Sequence, residues 1–449
     1  MPEKVTSLFF RTYSRRFRLR LTALRLLLGI VLTIVFLCTG LWQYPEYGPE
    51  VPPLPDWYEH PELVEVPELL VPLQRKLFNK PPEPPARFEA SARHKELLCT
   101  AQQHTELLLN DLEKEIPQNA SAGSTTKTHS FLPLEEAEKL CAEDKLDAYP
   151  QRDHHRKIYD LFLVGTELDW TEIRLHELAP HVDYFVIVEA ERSFTNKTKP
   201  LYFRKNWKHF SKFESKIIYH VLNDDAIIKS SNPWEHERYQ RNALMTQVFP
   251  DLLGDKAPNQ GDVIMVSDVD EIPRPETLEK LRNCDIPELT GMRSKFFLYS
   301  FQWQDADGDW GHPQATIWQG ERTILPEALR MSWTTMNHTF DNASWHCTTC
   351  FQTVAELITK IEYFSHQEWN DEQFKEPADI VRRVRNGTDV FERGTPYVKI
   401  PQDQLDVPAY LKQHPERFSY LLDRDPPNAN FRDYADGELR QVQGVMIED

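Results

Sequence analysis

The stretch Asp262-Val263-Ile264-Met265-Val266-Ser267-Asp268-Val269-Asp270-Glu271 decides how this chain is read. Its first half is a short continuous apolar run, as expected of a parallel strand buried on both faces. Its second half delivers three carboxylates to the point where that strand ends. In open α/β sheets, ligands bind in the crevice at the carboxyl ends of the strands. In an extended segment residues i and i+2 point to the same side, so Asp268 and Asp270 are expected to reach one divalent cation. Magnesium or manganese suits carboxylate and phosphate oxygens, and such an ion offsets charge on a departing diphosphate. The competing reading is that the two aspartates cap a helix beginning near Pro275. Glu271 faces differently and is expected to fix the turn or reach an acceptor.

Working outward, strands and helices alternate. Residues 159–164, 184–188, 216–222 and 262–266 read as strands, and 170–178 and 234–248 as helices. That order predicts an α/β domain with a mostly parallel central sheet and helices on both faces. Residues 292–301 are a further strand candidate, rich in aromatics, after which the alternation weakens. The sequence has no internal repeat. It also lacks a Gly-rich phosphate loop, which argues against Walker-type and dinucleotide-type sites.

The totals place this domain in a compartment. The 449 residues carry a formal net charge of −18. The charge is uneven: seven basic residues against Glu3 alone in residues 1–44 leave about −24 on the rest. An acidic body argues against nucleic acid as a partner, since phosphate backbones are bound by clustered Lys and Arg. Residues 26–42 are uncharged and apolar, at the short end of what spans a bilayer. With the basic residues 1–25 staying cytosolic, the expected topology is a single-pass type II signal anchor with the bulk of the chain luminal. A cleaved signal peptide is the alternative. Twelve prolines between residues 45 and 90 exclude regular structure there and indicate an extended stem. Residues 43–150 are read as stem and helical linker, with helices near 91–116 and 134–145 belonging either to the stem or to the domain edge. Residues 151–425 are read as the compact domain and 426–449 as a tail. In an oxidising lumen Cys99, Cys141, Cys284, Cys347 and Cys350 would form bridges and leave at least one unpaired or joined to another chain. Cys347-Thr348-Thr349-Cys350 reads as a structural bridge rather than a zinc half-site. Sequons begin at Asn119, Asn196, Asn337, Asn342 and Asn386.

Other groups stand where chemistry is expected. Glu189 ends the second strand and faces the same rim, to hydrogen-bond a ribose or base or else to cap a loop. Glu237 and Arg241 have the spacing of a helical ion pair. Arg238 and Asn242 share the neighbouring stripe, from which an arginine grips a diphosphate bidentately. His346 and His366 are candidates for a metal ligand or an acid/base group, beside the commoner role of packed or surface histidines. No Gly-x-Ser-x-Gly or His-Glu-x-x-His motif supports a hydrolase.

Several pieces in order resemble glycosyltransferase family 17. They are Tyr159-Asp160-Leu161-Phe162-Leu163, Phe185-Val186-Ile187-Val188-Glu189, Phe194-Thr195, and Glu237-Arg238-Tyr239-Gln240-Arg241-Asn242. Ser267 to Pro273, Trp345 to Phe351, Tyr410-Leu411 and Arg417 to Leu422 complete the set. The resemblance covers about residues 155–425. It implies a type II Golgi membrane protein with a GT-A-like domain, using a nucleotide-sugar donor with manganese held by Asp268 and Asp270. It also implies donor-site roles for Glu189, Arg238, Arg241 and Asn242, and a late histidine ligand, His346 before His366. The family's known activity moves N-acetylglucosamine from UDP-GlcNAc onto a mannose of protein N-glycans, in β-1,4 linkage and with inversion. Inversion needs a carboxylate to deprotonate the acceptor hydroxyl, and Glu271 and Glu321 are the residues named for it. Residues 302–344 depart from the family pattern and are expected to shape the acceptor pocket.

Two rivals stand beside this reading. A membrane-tethered glycan-binding protein would keep the fold without catalysis, and its aromatic side chains would stack on sugars. A metal-dependent phosphodiesterase would need further His/Asp metal motifs.

Overall fold

A computed structural model of the chain describes residues 130–440. The apolar run 26–42, the Pro-rich segment, the 91–116 helix, Cys38, Cys99 and Asn119 lie outside the described residues. Among the described residues no helix is long and apolar enough to cross a membrane.

The elements follow in chain order: α1 (Leu134–Ala142), β1 (Ile158–Val164), α2 (Leu168–Leu178), β2 (Tyr184–Glu189), β3 (Ile217–Val221), α3 (Pro233–Thr246), β4 (Val263–Val266), β5 (Glu271–Pro273) and α4 (Pro275–Asn283). Next come β6 (Thr290–Leu298), β7 (Trp303–Trp310), β8 (Gln314–Ile317), α5 (Pro326–Met331), β9 (His338–Thr348), α6 (Val354–Tyr363), α7 (Pro377–Asn386) and β10 (Tyr397–Lys399). They build one ten-stranded sheet in the order β10-β7-β6-β8-β4-β1-β2-β3, with β9 beside β6 and β5 beside β9. The half β4-β1-β2-β3 is parallel. Beyond β4 the sheet is mixed: β8 runs antiparallel to both β4 and β6, whereas β9 runs parallel to β6. The expected alternation therefore holds where the sequence alternates and gives way to hairpin-like strands where it does not.

Burial explains the apolar runs. Along β4, Val263 and Met265 join one core while Ile264 and Val266 join the other. Ile158 and Phe162 of β1 likewise face one core, and Tyr159 and Leu161 the other. α2 covers the first face with Trp170, Ile173, Leu175 and Leu178; α3 covers the second with Ala243, Leu244 and Met245. A strand with helices on both sides has no solvent face, so its sequence does not alternate. Local signals place the helix ends. Asn232 caps α3 by accepting from the Trp234 amide, with Pro233 at the first helical position. Thr353 and Glu356 form a reciprocal capping box on α6.

The compact unit takes in part of what reads as stem. Cys141 of α1 is bonded to Cys284 at the end of α4, and Ala148 bridges to Cys284. The packing also passes residue 425, because Phe431 and Asp433 are buried. Cys347 and Cys350 are bonded to each other, as a structural bridge requires. Asn337, Asn342 and Asn386 are exposed.

One buried side chain ties the parallel strands to the turn after β4. Arg174 of α2 is fully buried, as is Asp160 of β1, and its guanidinium donates to both Asp160 carboxylate oxygens at 2.8 and 2.5 Å. It also donates to Ser267 Oγ and to the carbonyls of Asp268, Val269 and Glu271, at 2.5, 3.2, 3.4 and 2.6 Å. Removing one partner of such a buried pair strands the other charge, at a cost of about 3–5 kcal/mol. Arg174→Met is therefore expected to lower the thermal unfolding midpoint by that magnitude. Arg174→Met combined with Asp160→Leu should lose less than the sum of the two single changes. Additive losses would contradict the pairing.

Candidate active site

The acidic residues sit where expected but not in the expected conformation. Residues 268–270 form a tight turn rather than an extended segment. The Glu271 amide donates to the Asp268 carbonyl at 3.0 Å, and the Asp268 amide donates to Glu271 Oε2 at 2.9 Å. Val269 turns into the core, while Asp268 and Asp270 stay at the rim. The helix-capping reading does not hold, because α4 starts from Arg274 with no side-chain cap.

The three carboxylates live in different environments. Glu271 is fully buried and accepts from Arg330 at 2.9 and 2.8 Å, from Trp310 Nε1 at 2.6 Å and from the Asp268 amide. Burial alone would raise its pKa, but the charge and hydrogen bonds of Arg330 hold it well below the usual carboxylate range. With four donors on its carboxylate, Glu271 braces the turn. Asp268 is 40% exposed at its side chain and is held by Arg330 at 2.6 Å and Arg241 at 3.5 Å. Against the opposing effect of burial, Arg330 keeps it ionised. Asp270 accepts no side-chain hydrogen bond among the described residues, and burial pushes its pKa up to about 6.

His346 lies opposite Glu271 in the β5–β9 register. Its Nδ1 is buried, has no hydrogen-bond partner among the described residues and stands 3.7 Å from Asp270 Oδ1. Its ring stacks on Trp310, with centroids 5.3 Å apart and planes at 17°. Lys360 of α6 reaches the same region, donating to Glu167 Oε1 at 3.0 Å. Burial opposes its charge, yet Glu167 and Asp270 raise its pKa.

The α3 residues divide. Arg241 is buried, pairs with Glu237 at 2.5 Å, as the spacing predicts, and also bonds Glu327. It serves as a helical ion pair and a rim cation at once. Asn242 Oδ1 accepts from the Glu327 amide at 3.0 Å near the start of α5. Arg238 is exposed on the helix surface. Three donors converge on the fully buried Glu189 carboxylate: the Phe203 and Arg204 amides and the Tyr219 hydroxyl. These donors match the loop-capping alternative. His366 is exposed, bonds Glu368 at 2.7 Å and packs edge-on against Trp234. Glu321 is exposed in the loop after β8. Ile317, the last residue of β8, pairs with Val263 at the end of β4 away from Asp268, so the sheet does not bring Glu321 to the cluster.

Arg330, Trp310 and Lys360 were not legible as site residues. Arg330 lies 59 positions from Glu271, and no local pattern joins them.

A divalent cation fits this site in part. Among the described residues no three His, Cys, Asp or Glu side chains are grouped to enclose an ion unaided. The unpartnered pair of Asp270 and His346 Nδ1, beside Asp268, suits an ion that completes its shell with phosphate oxygens and water. The named acids Asp268, Asp270, Glu271, Glu237, Glu327 and Glu167 outnumber the cations Arg330, Arg241 and Lys360, so the rim is short of positive charge.

An α/β domain presenting an acidic turn at the carboxyl edge of its parallel strands fits the GT-A-like class of sugar-nucleotide enzymes. The family model described as Glycosyltransferase family 17 matches residues 112–427, and the chain belongs to that family. It is 23% identical over 303 residues to a human protein named β-1,4-mannosyl-glycoprotein 4-β-N-acetylglucosaminyltransferase, covering 61% of this chain and 56% of that one. It is 22% identical over 333 residues to the Rattus norvegicus protein of the same name, covering 66% and 61%. The chain thus spans less than two thirds of these relatives.

The Asp270 environment yields a prediction. A carboxylate whose pKa is raised by burial destabilises the fold once ionised, by about 1.4 kcal/mol per unit. At neutral pH, Asp270→Asn is expected to raise the unfolding midpoint, by an amount equivalent to about 3 kcal/mol. The gain should shrink as the pH falls through 6, where the wild-type carboxyl takes up its proton. Equal midpoints at pH 8 would contradict this.

Proposed function

We propose that the chain is a metal-dependent, inverting glycosyltransferase that moves N-acetylglucosamine from UDP-GlcNAc onto a mannose of protein N-glycans in β-1,4 linkage. The proposed setting is the Golgi lumen, behind a type II anchor at residues 26–42. The observation carrying the reading is the acidic turn itself. Asp268 and Asp270 stand at the end of β4 with Arg241 and Arg330 beside them, in a family whose curated relatives carry the name given above.

Asp270, His346 and Asp268 would hold the cation, manganese or magnesium, which supplies charge compensation for the departing diphosphate. Arg330 and Arg241 sit where they orient the diphosphate through fixed guanidinium donors. Glu271 keeps Arg330 in place rather than taking part in proton transfer. Lys360 adds a third cation at the same rim. The unexposed backing of the turn, built on Arg174, excludes water from one side of the site.

The test is a nucleotide-sugar panel on the full-length chain, with manganese and EDTA arms and an N-glycan acceptor. Transfer from UDP-GlcNAc is expected, to vanish in EDTA and return with manganese. Asp268→Asn and Asp270→Asn should each lower turnover about a thousandfold, in the range of losing a principal electrostatic group. Glycan binding without donor turnover would favour the non-catalytic binding protein instead.

A further inference from the structure

We propose that Trp333 is a stacking platform for a pyranose ring of the acceptor glycan, at the outer end of an aromatic row that starts at the acidic turn. The proposal rests on the glycosyltransferase reading and gives it an acceptor subsite. The row begins where His346 Nδ1 stands 3.7 Å from Asp270. The His346 ring stacks on Trp310 at 5.3 Å; Trp310 lies 5.0 Å from His312, and His312 lies 6.2 Å from Trp333. His346 and His312 are buried and Trp310 is half-buried, but Trp333 is 52% exposed.

The indole is held in place rather than loose. A Cβ on Gly311 would come within 2.9 Å of Trp333 Cε3, so the six-membered ring lies against bare glycine backbone. That contact covers part of the ring, while the residue as a whole stays 52% exposed. Three residues earlier, Arg330 is bonded to Asp268 and Glu271. The ion pairs thereby hold α5, the helix just before the platform, against the acidic turn.

The surroundings select the occupant. Met331, 67% exposed, is the one other large apolar side chain exposed nearby along the chain. Two such side chains fall far short of the roughly 800 Å² per partner that a stable protein interface buries. The flanking residues Thr334 and Thr335 are exposed and carry hydroxyls. A rigid aromatic face bordered by hydroxyl groups matches a sugar ring, which has an apolar C–H face and a polar rim. The platform lies within residues 302–344, the segment that departs from the family pattern.

The probe is the trimannosyl N-glycan core pentasaccharide, titrated into the full-length chain by calorimetry. Wild type is expected to bind it, and Trp333→Ala to weaken binding about tenfold or more. Trp333→Tyr should stay within about threefold of wild type, with unchanged melting in both variants. Binding by Trp333→Ala at wild-type strength, or no binding by wild type, overturns the proposal. Asn337 is an exposed sequon four residues away. Binding that appears only in Asn337→Gln would assign the platform to the chain's own glycan and also overturn it. A chain that binds the pentasaccharide through Trp333 but turns over no nucleotide-sugar leaves the platform standing and refutes the transferase reading.

Discussion

The guanidinium of Arg174 is the constraint on which the site depends. A buried arginine must satisfy its donors inside the protein, and Arg174 does so with one carboxylate, one hydroxyl and three carbonyls. The carboxylate belongs to β1, an inner strand of the parallel half, and the other acceptors belong to the turn that follows β4. The turn is therefore not a free loop. Its backbone is fastened to the sheet from behind, and its side chains are presented forward.

Forward of that anchor, the charges are arranged in layers. Glu271 is fully engaged and holds Arg330; Arg330 and Arg241 hold Asp268; Asp270 accepts no side-chain hydrogen bond among the described residues. A buried carboxylate that accepts no side-chain hydrogen bond costs stability, as its raised pKa records. Sites that bind cations carry this kind of imbalance, because the ligand supplies the missing charge. The purely structural groups of the same domain look different. Glu189 receives three donors, and Asp160 is paired by Arg174 on both oxygens.

Much of the fold was legible because its signals are local. The apolar runs at 158–164 and 263–266 are buried on both faces, and residue order alone separates parallel strands from the rest. The position of the acidic turn was legible for the same reason. Its conformation was not: a tight turn replaces the extended segment, since Glu271 reaches back to the Asp268 amide. Residues joined across long sequence separations were invisible. Arg330 meets Asp268 from 62 positions away, and Lys360 meets Glu167 from 193. Strand-end position alone left two roles open for Glu189, and sequence alone did not place Glu321 relative to the sheet. A strand-end carboxylate is free or engaged according to what packs on it, and a loop residue's side of the sheet depends on a register that only the folded chain defines.

The most direct test of this account is anomalous diffraction at the manganese edge from crystals grown with manganese and UDP. The account predicts one strong peak within coordination distance of an Asp270 oxygen, with His346 or Asp268 adjoining it and Arg330 still bonded to Glu271. A peak elsewhere, or none while UDP is bound with Asp270 facing solvent alone, would contradict the assignment of the acidic turn as the cation site.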